Sequence, residues 1–242
     1  MSEIRETLPA ETPGRITKDN ILEYYQIPAE HLETAFTNLQ NLAEKMGLKV
    51  ALADLSLLTN VNDPKAKESG HDTCQSDGKT VYLHHDLKKT GGIVGRVYDL
   101  MHVGLGHGTQ WSAGPKSGLK FHGDEAWKVA TKGYFGAPEE DLQTVYEYEL
   151  EAGRLAVAYL KKAVDGLAPA AQAKVIALYS DYVRNDLAYI MKVYRTNKIP
   201  PFFQNFTPNQ PALEDIAIPE HLMPIQRENQ CVPLIRNVSG LA

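Results

Sequence analysis

The sequence predicts a mainly α-helical protein with a small β element. Three observations carry this reading. Residues 138–163 open with Pro138, Glu139, Glu140 and Asp141 and close near Lys161 and Lys162, the charge order that suits a helix dipole. Across residues 28–46, Leu32, Phe36, Leu39, Leu42 and Met46 recur at helical spacing, between Pro28 and the stop at Gly47. Residues 80–84, by contrast, alternate like a strand and come just after the turn pair Asp77-Gly78.

The remaining elements are weaker but readable. Residues 1–16 are polar and proline-containing, and are expected to form a flexible N-terminal arm. Residues 16–25 suit a short helix. Residues 49–58 are a mixed apolar run, strand or short helix, with 49–53 the expected partner of strand 80–84. Residues 59–79, rich in Asn, Asp, Gly, Ser and Lys, read as a surface loop. Ile93, Val97, Met101 and Leu105 place a helix over 91–107, whereas 108–123 has too much Gly and Ser to continue it. A short helix is expected over 124–132 and a long one over 169–192, with Gly166 in the turn before it. Pro200 and Pro201 end the helical part. The expected organisation is a single mainly helical domain at 17–200 and an extended C-terminal tail, 201–242, packed on it.

Bulk properties narrow the function. The 242 residues are 43% hydrophobic and 23% charged, as in an ordinary soluble domain with a substantial core. A net charge of -5 argues against a nucleic-acid partner held by phosphate neutralisation. Cys74 and Cys231 are the only cysteines, so neither a disulfide framework nor a Cys-rich zinc site can be built. The first residues lack the apolar core of a secretory signal, and no run approaches the ~18 apolar residues of a membrane span. The expectation is a cytoplasmic protein with no membrane or nucleic-acid partner.

Chemistry concentrates in Asp99-Leu-Met-His-Val-Gly-Leu-Gly-His-Gly108. His102 and His107 sit five residues apart in an apolar, glycine-rich run. On a regular α-helix they would point about 140° apart. A local π-helical widening, a feature common at functional sites, would bring them together. Gly104 and Gly106 each cost a helix roughly 1 kcal/mol relative to Ala, which points to distortion or to close approach by another element. A second stretch, Glu147-Tyr-Glu-Leu-Glu151, carries carboxylates into the apolar run that ends at Leu160. Two imidazoles and a carboxylate from two helices suit a metal. The residues leave Glu147, Glu149 and Glu151 open as the third ligand, since a small shift along the helix exchanges them.

The histidine stretch resembles the His-Glu-Leu-Leu-Gly-His-Gly zinc motif of the dipeptidyl peptidase III family. Ser117-Gly-Leu-Lys-Phe121 loosely resembles the segment downstream of that motif in the family. Glu151-Ala-Gly-Arg-Leu-Ala-Val-Ala-Tyr-Leu160 is similar to the family's second motif, in which a Glu binds zinc. The resemblance covers about 60 residues. It implies that the domain is like the family's zinc-binding helices, with His102, His107 and Glu151 as metal ligands. Val103 stands where the family has its general-base Glu, and Leu150 and Leu155 replace two further acidic residues of the second motif. The resemblance therefore implies a relative that keeps the metal and changes the reaction.

The expected function is a metal-dependent enzyme acting on a small molecule or peptide and not a conventional peptidase. Zn²⁺ is the first expectation. Fe²⁺ in an oxygenase is the alternative, because two His and one carboxylate also make the non-haem iron triad. A third reading is a non-catalytic metal-binding relative. With Val103 unable to accept a proton, Glu147 and His122 are the candidate catalytic groups, ahead of Asp99, His84 and Tyr148. Plainer readings stand beside these. Glu147 and Glu149 suit solvated positions. Strand alternation would send His84 and His85 to opposite faces. Trp111, Trp127, Tyr179, Tyr182 and Tyr189 suit packing, with Arg184 free to meet an anionic substrate.

Overall fold

Residues 15–55, 74–76, 79–130, 132, 136–196, 198 and 200–224 are described by the structure, a computed structural model. Most of the expected arm, residues 56–58 of the mixed apolar run, residues 59–73 and 77–78 of the expected loop and the end of the tail lie outside them. The described chain runs α1 (Ile21–Tyr25), α2 (Ala29–Lys45), β1 (Lys49–Ala53), β2 (Cys74–Ser76), β3 (Thr80–His84) and α3 (Gly92–Asp99). A π-helix (Leu100–His107) comes directly after, then α4 (Gly108–Ser112), α5 (Gly123–Ala130), α6 (Glu139–Ala163), α7 (Pro169–Thr196) and a 3-10 turn (Phe202–Asn205). The mainly α architecture with a small β element is therefore as the sequence predicts.

Helix α6 organises the packing. Its first half is amphipathic, burying Leu142, Val145 and Tyr148. Its second half, Leu155 to Leu160, is buried on every side, because the π-helix, α2 and α7 all pack on it. Leu32 and Leu39 of α2, Leu100 and Leu105 of the π-helix, and Leu178 and Tyr179 of α7 complete this core. Burying a Leu removes roughly 1.5–3 kcal/mol of unfavourable hydration, so these contacts hold the π-helix against α6.

The sheet has the order β1-β3-β2, with β1 parallel and β2 antiparallel to β3. Lys49 pairs with Thr80 and Ala53 with His84, the expected partnership. Val81 and Leu83 of the central strand are fully buried, and Val81 meets the π-helix. Strand β2 was not expected. It lies within the predicted loop, and Cys-Gln-Ser is too short to show alternation.

Two further differences are informative. The helix does not stop at His107 but continues as α4 to Ser112. Gly108 is buried there, and a Cβ on it would lie 3.1 Å from Leu48 Cδ1, so this glycine serves packing and does not break the helix. His84 and His85 do not part: their rings stack at 4.9 Å, because β3 ends at His84 and alternation no longer governs the next residue.

The segment after Pro201 packs on the body. Phe202, Phe203 and Phe206 gather round Tyr182, and Leu213 is buried. Asp181 of α7 accepts the backbone N–H groups of Asn209 (2.7 Å) and Gln210 (2.9 Å) and the Tyr25 hydroxyl (2.5 Å). A buried carboxylate with three donors is well satisfied and clamps this segment. Arg184 is used the same way, donating to the carbonyls of Pro211 and Ala212. Among the described residues no helix is long and apolar enough to cross a membrane.

Candidate metal centre

The two histidines converge because the helix widens where they lie. Leu100–His107 is π-helical throughout, and with i→i+5 bonding residues five apart share a face. The rings of His102 and His107 stand 4.9 Å apart. The glycines of the run let neighbours close in. A Cβ on Gly106 would lie 2.5 Å from Ala152 O of α6, and one on Gly104 3.2 Å from Val81 Cγ2 of β3. Any side chain at 106 would push α6, and the carboxylates it carries, away from the imidazoles.

The carboxylate that meets them is Glu149. Its Oε2 lies 3.0 Å from His102 Nε2 and 3.2 Å from His107 Nε2. His102, His107 and Glu149 form a group whose potential ligand atoms all lie within 4.8 Å of one another. Glu151, the residue expected from the motif resemblance, is not in this group. Two residues turn an α-helix about 200°, so the carboxylates of Glu149 and Glu151 leave α6 on different sides. Glu151 instead accepts the backbone N–H groups of Lys120 (2.6 Å) and Phe121 (3.1 Å) and the Gln110 amide.

Each imidazole is held from behind. Gln110 Nε2 donates to Tyr148 O (3.0 Å) and to Glu151 Oε1 (3.0 Å), which fixes the amide so that Oε1 faces His107 Nδ1 at 2.9 Å. His107 Nδ1 must then carry the proton. Tyr98 spends its only hydrogen on Asp186 Oδ2 at 2.6 Å, so its oxygen accepts from His102 Nδ1 at 3.0 Å. Both Nδ1 atoms are therefore donors, and both Nε2 lone pairs point at Glu149. Stacking completes the support: the His107 ring lies 4.6 Å from Tyr148 and 5.8 Å from Trp111, nearly parallel to both. Trp111 in turn donates Nε1–H to the Tyr148 hydroxyl at 2.9 Å.

The electrostatics match the geometry. Burial disfavours the charged form of His107, but the Glu149 carboxylate and the hydrogen bonds to Glu149 and Gln110 hold its pKa above the ordinary imidazole value. Burial also works against the Glu149 carboxylate, yet the two imidazoles hold its pKa far below the usual range. Three acceptor atoms converge, and without a cation between them they would repel. A proton on His107 would meet that need, and so would a metal ion, which leaves the ligands unprotonated. Asp186 behaves differently: burial pushes it up to about 6, against the opposing effects of His102 and Tyr98.

The other expected site residues sit elsewhere. Glu147 pairs with Lys120 and accepts from Gln143, and these bonds, Lys120 first, lower its pKa. His122 stands 3.7 Å from Glu125, at the rim of a cavity with Trp111. Neither joins the His102–His107–Glu149 group. Sequence reasoning missed Gln110, Tyr98 and Asp186. Gln110 reaches His107 only if the helix continues past 107, where it was expected to stop. Tyr98 lies one turn before His102, a signal that was available. Asp186 lies 88 residues from Tyr98, beyond any local pattern.

A second group, Asp54, His84 and His85, also brings potential ligand atoms within 4.8 Å. There His84 Nδ1 accepts the Asp86 backbone N–H at 3.0 Å, so the proton of the neutral ring sits on Nε2, toward Asp54. That nitrogen stands 3.7 Å from Asp54 Oδ1 and makes no hydrogen bond among the described residues, and with its proton in place it offers a metal no lone pair.

Comparison with models of known families, with curated proteins and with solved structures finds no match. The likeness to dipeptidyl peptidase III rests on the motif residues alone.

Proposed function

We propose that the protein is a metal-dependent enzyme whose divalent ion, zinc first, is held by His102, His107 and Glu149. One observation carries the reading: both Nδ1–H groups are engaged behind the rings, leaving two Nε2 lone pairs and a carboxylate oxygen facing one another. Ligands at ~2.0–2.1 Å from zinc in a tetrahedron stand about 3.3 Å apart. The Glu149 oxygen lies 3.0 and 3.2 Å from the two nitrogens. Engagement of the non-ligating nitrogen is the pattern by which proteins orient metal-binding imidazoles. Glu151 then acts through Gln110 on His107, and Asp186 acts through Tyr98 on His102.

A zinc ion so held supplies Lewis acidity toward a carbonyl, or water activated near neutral pH. The chain's own residues restrict the reaction. Val103 is an apolar side chain at the position where the resembling motif carries its proton acceptor, so a conventional peptidase mechanism is not supported. The same Val103 favours a second reading, an Fe(II)-dependent oxygenase on the same three donors, which needs no base at that position. Either reading keeps a small molecule or peptide as substrate.

Metal-stripped protein should be titrated with Zn²⁺ and, anaerobically, with Fe²⁺ against a chromophoric chelator, beside His107→Ala. The loaded samples would then be assayed for ester and amide hydrolysis and for oxygen consumption. A single equivalent of bound metal, lost in the variant and accompanied by turnover, supports the reading. Metal binding without turnover leaves only the non-catalytic relative, and binding of neither ion overturns the site.

A further inference from the structure

A cavity of about 560 Å³ opens beside the His102 side of this centre. Its lining includes Tyr98, Tyr182, Tyr189 and Phe202, together with Asp99 and Asp186. The rings form a continuous set: Tyr98–Tyr182 at 4.5 Å, Tyr182–Phe202 at 4.9 Å and Tyr189–Phe202 at 5.4 Å. Among the described residues, no lysine, arginine or histidine lines it. Asp99 has Arg96 as an electrostatic partner, so Asp186 is the carboxylate on which the cavity's charge turns. Among the described residues Asp186 makes no ion pair with lysine or arginine, and its carboxylate accepts the Tyr98 hydroxyl.

We propose that this cavity binds a small organic ammonium ion, with its charge set against Asp186 and its alkyl groups against the tyrosine and phenylalanine rings. The chemistry is specific. Aromatic faces carry negative potential and attract a weakly hydrated cation, with an effect that grows as water is excluded. A part-buried carboxylate that makes no ion pair with lysine or arginine is incompletely compensated, and a bound cation adds the missing charge. A neutral ligand of the same shape would fill the space and gain neither effect. An anionic ligand would meet two carboxylates. The cavity shares Tyr98 and Asp186 with the support of His102, so the bound ion would sit next to the proposed metal. The binding itself does not depend on that metal.

The test is calorimetric titration of the full-length protein, metal-stripped and zinc-loaded, with choline and with its uncharged isostere 3,3-dimethylbutan-1-ol. Asp186→Asn and Tyr189→Leu are titrated in parallel, and metal content is measured in every sample. Choline is expected to bind saturably in the metal-stripped protein, with the isostere weaker by about tenfold or more. Asp186→Asn should weaken choline by about tenfold and leave the isostere unchanged, and Tyr189→Leu should weaken choline severalfold. If Asp186→Asn does not fold, Tyr189→Leu and the isostere decide. Equal affinity for choline and its isostere, or no choline binding at millimolar concentrations, overturns the proposal. A protein that binds choline and no metal would sink the metal reading and keep this one.

Discussion

Glu149 and Glu151 stand two residues apart on α6 and serve different parts of one structure. Glu149 Oε2 meets the Nε2 atoms of His102 and His107, while Glu151 meets two backbone amides and the Gln110 side chain that orients His107. The rotation of about 200° between them makes the separation unavoidable on a regular helix. Neighbours in sequence, the two carboxylates cannot exchange roles without turning α6 about its own axis.

The support behind His102 gives a clean prediction. Tyr98→Phe keeps the ring and its contact with Tyr182 but removes the oxygen that accepts from His102 Nδ1. The buried N–H loses its acceptor and the ring its orientation. Zinc affinity should fall by about 10–100-fold, the usual effect of losing such a partner, while the circular dichroism spectrum is unchanged. An unaltered affinity in a chelator competition would show that Tyr98 does not position the ligand.

Gly106 tests the packing that brings α6 to the imidazoles. A Cβ there would lie 2.5 Å from the Ala152 carbonyl oxygen, a backbone atom that moves only with the helix. Gly106→Ala should cost ~1–3 kcal/mol of stability in denaturant titration, as overpacking does, and should weaken metal binding too. Ala is otherwise the better helix former by ~1 kcal/mol, so a stabilised variant would contradict the close approach.

The pH dependence has a definite sign. His107 has a raised pKa in the fold, so in the metal-free protein its contribution is complete below the unfolded value of ~6.5 and is lost as pH rises through the higher folded value. Glu149 has a depressed pKa, so its contribution is present above the unfolded value of ~4.3 and is lost as pH falls toward the lower folded value. The metal-free Tm should therefore be highest near pH ~5–6 and fall on both sides. Zinc needs neutral His107, so the Tm gain on adding zinc should grow from pH ~5.5 to ~8. A gain that is constant or shrinks over that range would mean that zinc does not displace the His107 proton.

Much of the fold was legible because it is local. Pro138 with its acidic first turn marks α6 to within a residue, and the spacing of Leu32, Leu39 and their neighbours marks α2. The pairing of 49–53 with 80–84 came from two short apolar runs near one turn signal. The His102–His107 pair was legible as well, since a π-helical widening over the run brings residues five apart onto one face. The illegible part is non-local or depends on where a helix ends. The loop reading of 108–123 hid Gln110, because its contact with His107 exists only inside a continuing helix. The choice among three glutamates within one and a half turns depends on the rotation of α6 about its axis. That rotation is set by packing on α2, α7 and the π-helix, not by its own sequence. Asp186 comes from a different helix and reaches the centre through tertiary packing alone.

Glu149 is proposed as the third ligand, and Glu151 as a support for His107. The most direct measurement is elemental analysis of protein purified without added metal or chelator, comparing wild type, Glu149→Gln and Glu151→Gln. About one equivalent of zinc or iron is expected in the wild type, and none retained in Glu149→Gln. In Glu151→Gln the metal should remain at high occupancy, with affinity weakened by about tenfold. Loss of metal in Glu151→Gln with full retention in Glu149→Gln, or a wild-type protein that holds no metal even after reconstitution, would contradict that assignment.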